Sequence, residues 1–339
     1  MQPLGAVLAI CALVATALLT QLVRAIAVGR GVVDVPNARS SHDVPTPRGG
    51  GLAIVLVTTA GLLVLAVLGM LRLDLLWAVT GGGLAVALAG FADDRRSLSA
   101  ATRLTVHFAA ALWALVWLGG LPALRIGAHL VFPGWMGYVL GAFGIVWAIN
   151  LFNFMDGIDG IAASEAVFVA LAGALLSLPM GVGAGVGFAA AVFAAACGGF
   201  LMWNWPPARI FLGDVGSGYL GYVIVVLAVA ATRDNPVALW VWLILGGAFF
   251  VDATATLLRR LLRGERVYEA HRSHAYQWLA RRWGGHAPVT WTVLIVNVVW
   301  LLPCAVFASR RPVYAVATVA FAFAPLGLLA IAVSGRRES

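Results

Sequence analysis

The sequence predicts an all-α polytopic membrane protein, and three observations predict it. Of 339 residues, 62% are hydrophobic and 11% charged, with a mean hydropathy of +0.96; no soluble domain of this length has that composition. The apolar residues fall into stretches of about twenty, the length that crosses hydrocarbon as a helix. The 22 basic residues are all arginine and gather in the short segments between those stretches, where membrane proteins collect positive charge. The net charge of +8 is therefore topological and does not indicate a nucleic-acid partner.

Taken in order, roughly eleven transmembrane helices are expected by length. They lie near residues 4–27, 50–70, 75–92, 103–121, 134–152, 160–179, 182–203, 217–232, 236–258, 288–308 and 312–333. The count becomes ten if the glycine-rich run 181–187 does not separate the sixth and seventh. The first stretch has no basic segment before it and reads as a membrane helix, not a cleaved signal. Residues 123–133, with Gly127 and Pro133, suit a small hairpin on the outer side. Cys11, Cys197 and Cys304 sit in apolar runs and read as small hydrophobes. Placing the loop after the first span inside puts seventeen of the 22 arginines inside and leaves Arg72, Arg125, Arg233, Arg310 and Arg311 outside. By the positive-inside rule the N-terminus is then periplasmic and the C-terminus cytoplasmic. No fixed-period repeat and no soluble module interrupts the pattern, so 1–339 reads as a single domain whose longest inner loop is 259–287.

The acids then become informative. Asp93, Asp94, Asp156, Asp159 and Asp214 come from three loops, and all fall at the cytoplasmic edge. A carboxylate beside hydrocarbon is costly unless paired, metal-bound or wetted. The central stretch is Asn150-Leu-Phe-Asn153-Phe-Met-Asp156-Gly157-Ile-Asp159-Gly160. If a helix starts there, Asp156 and Asp159 share a face and its free N–H groups favour phosphate; a polar turn capping a membrane helix would use the same residue types. The third span ends Gly90-Phe-Ala-Asp93-Asp94-Arg95-Arg96. Adjacent carboxylates need a cation or a proton between them, a helix C-terminus disfavours them further, and magnesium with phosphate is the usual relief.

In 204–218, Asp214 stands between glycines, Ser217 suits an N-cap, and Phe211 offers a face on which a base could stack. The first inner loop ends Pro45-Thr46-Pro47-Arg48-Gly49-Gly50-Gly51, residue types that hold phosphate oxygens and that a solvated positive-inside loop would use equally. The 259–287 loop carries Arg259, Arg260, Arg263, Arg266, His271, Arg272, Ser273 and His274. It suits either anionic lipid headgroups or a clamp on a pyrophosphate; zinc would need a further Cys or His nearby. Asp252 and Glu165, inside spans, read as supporting residues, and His107 as a hydrogen-bonded residue of the bundle. His129 and His286 suggest no role.

Together, Asp93-Asp94, Asn150-x-x-Asn153-x-x-Asp156-Gly-x-Asp159-Gly and Phe211-x-Gly-Asp214-x-Gly-Ser217, followed by a His-containing inner loop, resemble the polyprenyl-phosphate N-acetylhexosamine-1-phosphate transferases. This is glycosyltransferase family 4, the superfamily of the MraY and WecA enzymes. The likeness runs from the first span to His271. Arg39-Ser-Ser-His42 to Gly51 and Ala270-His271-Arg272-Ser273-His274 resemble most the WbpL-like branch that initiates O-antigen or similar surface polysaccharides. Two departures from the peptidoglycan branch stand out: Ser97 occupies the place of a lysine, and the histidine cluster is split.

The resemblance implies a magnesium site (manganese as substitute) at Asp214, with Asn153 adding an oxygen. It implies Asp93 and Asp94 as the catalytic pair, Asp156 as an essential aspartate, and Asp159, Asn204 and Phe211 around the nucleotide. Arg48, His271, Arg272 and His274 are expected at the phosphates and sugar. The implied partners are undecaprenyl phosphate, a UDP-N-acetyl sugar and the bilayer of a bacterial inner membrane; a homodimer is compatible and a nucleic acid is not expected. The implied reaction moves the sugar-1-phosphate to the lipid and releases UMP. A peptidoglycan-precursor transferase is the alternative within the family. An ion-coupled transporter is the rival class, but it would hold its acids near the bilayer midplane; a lipid-binding scaffold would not need five converging carboxylates.

Overall fold

The computed structural model describes residues 2–36, 44–177, 184–265 and 273–334. Fourteen α-helices follow one another among these residues: α1 (Gln2–Gly29), α2 (Gly51–Val67), α3 (Leu73–Arg95), α4 (Ala100–Leu118), α5 (Met136–Met155), α6 (Ile161–Ser177), α7 (Ala184–Asn204), α8 (Asp214–Asp234), α9 (Ala238–Leu245), α10 (Gly247–Leu262), α11 (Ala275–Trp283), α12 (His286–Val296), α13 (Leu302–Arg310) and α14 (Ala315–Ser334). Eight helical spans are long and apolar enough to cross a membrane, α12 and α13 counting as one, and α9 with α10 makes a ninth if that bent pair is one span. The protein is a multi-pass membrane protein. Of the roughly eleven expected spans, α2 and α6 are helical and apolar but stop at 17 residues each, the lower limit for crossing.

The expected continuous span over 236–258 is broken. Helices α9 and α10 meet at 74° across Gly246 and Gly247, and glycine pairs are common sites of sharp helix bends. A Cβ on Gly247 would lie 2.8 Å from the Phe323 ring of α14, so the close packing of α14 uses the missing side chain. The break turns α10, with Asp252, towards the start of α11. The last expected spans also differ from straight helices: a π-helical turn, Asn297–Leu301, lies between α12 and α13. The expected hairpin is present as β3 (Leu124–Ile126) against β4 (His129–Val131), antiparallel with Arg125 opposite Leu130. Strands β1 (Val33–Asp34) and β2 (Thr46–Pro47) form a second short pair ahead of α2.

Helix α8 is the axis of the bundle. It is apolar on every side, the mark of a helix enclosed by others; 94% of its apolar window is buried, against 17% for α1. Helices α2, α3, α5 and α6 pack around it, and the Tyr222 hydroxyl donates to the Ala78 carbonyl of α3 at 2.6 Å. Near the C-terminal end of α3, Gly90 lies against the backbone of Asp214, so that a Cβ there would strike the Asp214 carbonyl. This contact sets Asp94, one turn further on, beside the first residues of α8. Gly90→Leu is expected to wedge the two helices apart at the cost of core overpacking, about 1–3 kcal/mol, read as a lower thermal midpoint in detergent. An unchanged midpoint would mean the helices do not meet there.

Candidate active site

The site is built on the first turn of α8. That helix begins at Asp214, three residues ahead of the expected cap Ser217, and its N-cap is Gly213 with φ 75°, a conformation glycine adopts without strain. Gly213 has no side chain to cap the helix, and Asp94 of α3 takes that part: its Oδ2 accepts from the Val215 N–H at 3.2 Å. The carboxylate thereby also meets the positive end of the helix dipole. Arg48 donates to the Asp94 carbonyl at 2.6 Å, with its guanidinium 4.0 Å from Asp94 Oδ1. Backbone bonds hold Arg48 in place: Phe211 N–H donates to Pro47 O at 2.8 Å, Gly50 N–H to Phe211 O at 2.9 Å, and Gly51 N–H to Leu212 O at 2.9 Å. The segment just ahead of α2, residues 47–51, and the segment before α8 thus form one backbone unit, with Phe211 half-buried at its edge.

Asp93 is held from the other side. Its Oδ1 accepts from Leu98 N–H at 2.6 Å and its Oδ2 from Arg103 at 2.7 Å, while its side chain also neighbours Asp214. Asn153 donates from Nδ2 to Asp214 Oδ1 at 2.8 Å and to Ser217 Oγ at 3.0 Å. Its amide nitrogen, not its oxygen, therefore faces Asp214.

Helix α6 starts only at Ile161, so Asp156 and Asp159 stand in the turn between α5 and α6 and do not share a helical face. Asp156 is the C-cap of α5. Desolvation pushes its carboxyl well above the usual carboxylate range, and the charges of Asp214, Asp94 and Asp159 push it further. Asp159 points elsewhere. Its Oδ2 accepts from Ala208 N–H at 2.9 Å, and its Oδ1 lies 3.2 Å from His286 Nδ1. Asn204 is turned inward, 4% exposed; it accepts from Gly160 N–H and donates to Ile210 O, both at 3.0 Å, and so ties the 156–160 turn to the 204–210 loop.

His274 is the N-cap of α11 and is 1% exposed. Its Nδ1 lies 3.5 Å from Asp252 Oδ1, and the Asp252 carboxylate accepts from the Ala275 and Tyr276 N–H groups, each at 3.0 Å. Asp252 is therefore the capping carboxylate of α11, reaching across from α10. The Tyr276 hydroxyl then donates to Phe154 O at 2.9 Å, close above Gly157, and burial raises its phenol well above the usual range. His271 and Arg272 lie outside the described residues.

A cavity of about 450 Å3 opens from this cluster. Asp93, Arg103, Asn153 and Asp214 line its polar end, while Phe108, Phe143 and Trp147 line the apolar one. Phe143 is 61% exposed, so the cavity opens on the outer surface of the helix bundle.

Among the described residues no three of His, Cys, Asp and Glu form a closed metal-ligand set. The acids instead leave excess negative charge around Asp214, which neighbours both Asp93 and Asp94. That donor set fits a hard divalent cation of the magnesium type, which takes one or two carboxylates and completes its shell with water and phosphate oxygens.

The structure thus brings Asp93, Asp94, Asp156, Asp214, Asn153 and Arg48 together, and sets Asp159, Asn204 and His274 at the margins. Sequence reading missed Arg103, His286 and the capping work of Asp252. Arg103 had a signal, being one of few arginines within an expected span. His286 had none, because its partner Asp159 is 127 residues away.

The model of glycosyl transferase family 4 matches residues 76–232. The probable undecaprenyl-phosphate N-acetylglucosaminyl 1-phosphate transferase of Bacillus subtilis is 29% identical over 308 residues, 88% of this chain and 84% of that protein. The phospho-N-acetylmuramoyl-pentapeptide-transferase of Moorella thermoacetica is 32% identical over 247 residues, 68% of this chain and 74% of its own length. The decaprenyl-phosphate N-acetylglucosaminephosphotransferase of Mycolicibacterium smegmatis is 31% identical over 254 residues, 69% and 61% of the two chains. With the family model over 76–232 and relatives of this identity and coverage, the chain belongs to glycosyl transferase family 4, among the polyprenyl-phosphate N-acetylhexosamine-1-phosphate transferases.

Proposed function

We propose that this protein transfers an N-acetylhexosamine-1-phosphate from a UDP-sugar to undecaprenyl phosphate, on the cytoplasmic face of a bacterial inner membrane, as the first step of O-antigen or another surface polysaccharide. One observation carries the reading. Carboxylates from three segments converge on the first turn of α8, at the polar end of a cavity whose far end is lined by apolar side chains and opens on the surface of the bundle. A water-soluble diphosphate and a membrane-bound phosphate have to meet at such a junction.

In this reading an oxygen of the lipid phosphate attacks the β-phosphorus of the UDP-sugar. A new P–O bond forms, the bond to the bridging oxygen breaks, and UMP leaves with that oxygen. Arg103 and Arg48 offset the negative charge of the incoming phosphates. Asp93, which lines the cavity, or Asp94 beside it takes the acceptor's proton or orients its oxygen. Asp214, with Asp93 beside it, would hold magnesium, or manganese in its place, which when bound neutralises charge on the diphosphate. Asn153 would steady the Asp214 carboxylate through its amide N–H and would not, as expected, add an oxygen. The remaining work is positioning, as in other phosphoryl transfers. Asp159, Phe211 and the 204–210 loop border the nucleotide, and the 259–287 loop borders the sugar.

The test is purified protein with undecaprenyl phosphate, magnesium and a panel of UDP-sugars, scored by UMP release. Release is expected with a UDP-N-acetylhexosamine, dependent on the lipid acceptor and abolished by a chelator. No release with any sugar would end the proposal. The 32% identity to a muramoyl-pentapeptide transferase supports a second reading, and release only with UDP-N-acetylmuramoyl-pentapeptide would select it.

A further inference from the structure

We propose that His107 binds the phosphate end of the lipid acceptor, donating a hydrogen bond from Nε2 where the polar end of the cavity meets the apolar end. The inference rests on the transferase reading above.

His107 is 9% exposed and lines the cavity. It lies on α4 four residues after Arg103, on the same face, and feels the charges of both Arg103 and Asp93. Among the described residues the expected hydrogen bond within the bundle is not made: Nδ1 is sealed off with no partner. A sealed N–H is rarer and costlier than a sealed acceptor, so the proton belongs on Nε2. That leaves Nε2–H to serve the cavity.

Among the described residues no neighbour is bonded to it: Leu104 and Phe108 are apolar, and Asn150, which also lines the cavity, directs its amide N–H to Val146 O at 2.7 Å. A donor one helical turn deeper than the arginine, with hydrocarbon walls beyond it, matches an amphiphile. Its acceptor oxygens must sit at the junction and its chain must fill the rest. A phosphate ester of a long polyprenol has that form. A UDP-sugar has no apolar part to occupy the space past His107.

The full chain in detergent or lipid discs tests this with His107→Leu and His107→Gln, the second keeping an N–H donor. His107→Leu is expected to raise the KM for polyprenyl phosphate about tenfold, the factor that about 1.4 kcal/mol represents. Its kcat and its KM for the UDP-sugar should stay within about twofold, and His107→Gln should recover most of the loss. If His107→Leu does not insert, His107→Phe, which keeps a ring in place, carries the same comparison.

A binding arm is independent of turnover. Wild type should prefer polyprenyl phosphate over the uncharged polyprenol, and His107→Leu should lose most of that preference. Equal losses for phosphate and alcohol, or none, would make His107 a packing residue. A rise confined to the KM for UDP-sugar would assign the donor to the nucleotide side. A wild type silent with every UDP-sugar would defeat the transferase reading, while the binding arm would still decide the role of His107.

Discussion

Asp214→Asn is expected to lower UMP release by at least about a thousandfold, the scale on which a single group aimed at developing charge acts, while the protein still inserts and folds. The substitution keeps the shape of the side chain and an oxygen able to accept from Asn153 Nδ2, the bond now at 2.8 Å. What it removes is one negative charge from a cluster where Asp93, Asp94 and Asp156 surround that position. For packing alone the change is neutral or favourable, since mutual repulsion falls. For a site that must attract a divalent cation and two phosphates it is the largest single loss available. Thermal unfolding in detergent and UMP release, measured on the same preparation, separate the two. A variant with wild-type turnover would show that the cluster is an electrostatic accident of helix packing.

Much of this architecture was legible in the sequence because membrane burial and hydrophobic length are local properties. The apolar stretches become helices, 217–232 among them as most of the central α8. Five aspartates at one level of the membrane announced a site before any of their neighbours was known. What stayed hidden depends on partners distant in the chain. A local window makes Ser217 the natural cap of α8, yet the helix starts at Asp214 because Asp94, 121 residues earlier, supplies the acceptor. Asp252 read only as a supporting residue inside a span, but the break at Gly246 turns α10 so that its carboxylate meets two amides of α11. The order Asp156-x-x-Asp159 suggested a shared face, and the late start of α6 sends the two side chains to different neighbours.

The second large effect separates two jobs that fall on one residue. Asp94 accepts the N–H of Val215 and adds negative charge beside Asp214. Asp94→Asn keeps an oxygen at the cap and removes the charge, so transfer should fall by at least about a hundredfold with little change in thermal midpoint. Asp94→Ala removes both. It should lose transfer to the same degree and in addition about 1 kcal/mol of stability, the usual worth of an N-capping side chain. Arg48 sharpens the comparison, because it bonds the Asp94 backbone carbonyl at 2.6 Å and so holds its place in both variants. If Asp94→Asn transfers like wild type while Asp94→Ala unfolds early, Asp94 is a cap and nothing more, and the chemistry belongs to Asp93. If both fold alike and both are inactive, the cap at α8 is dispensable and its carboxylate serves the reacting phosphates alone.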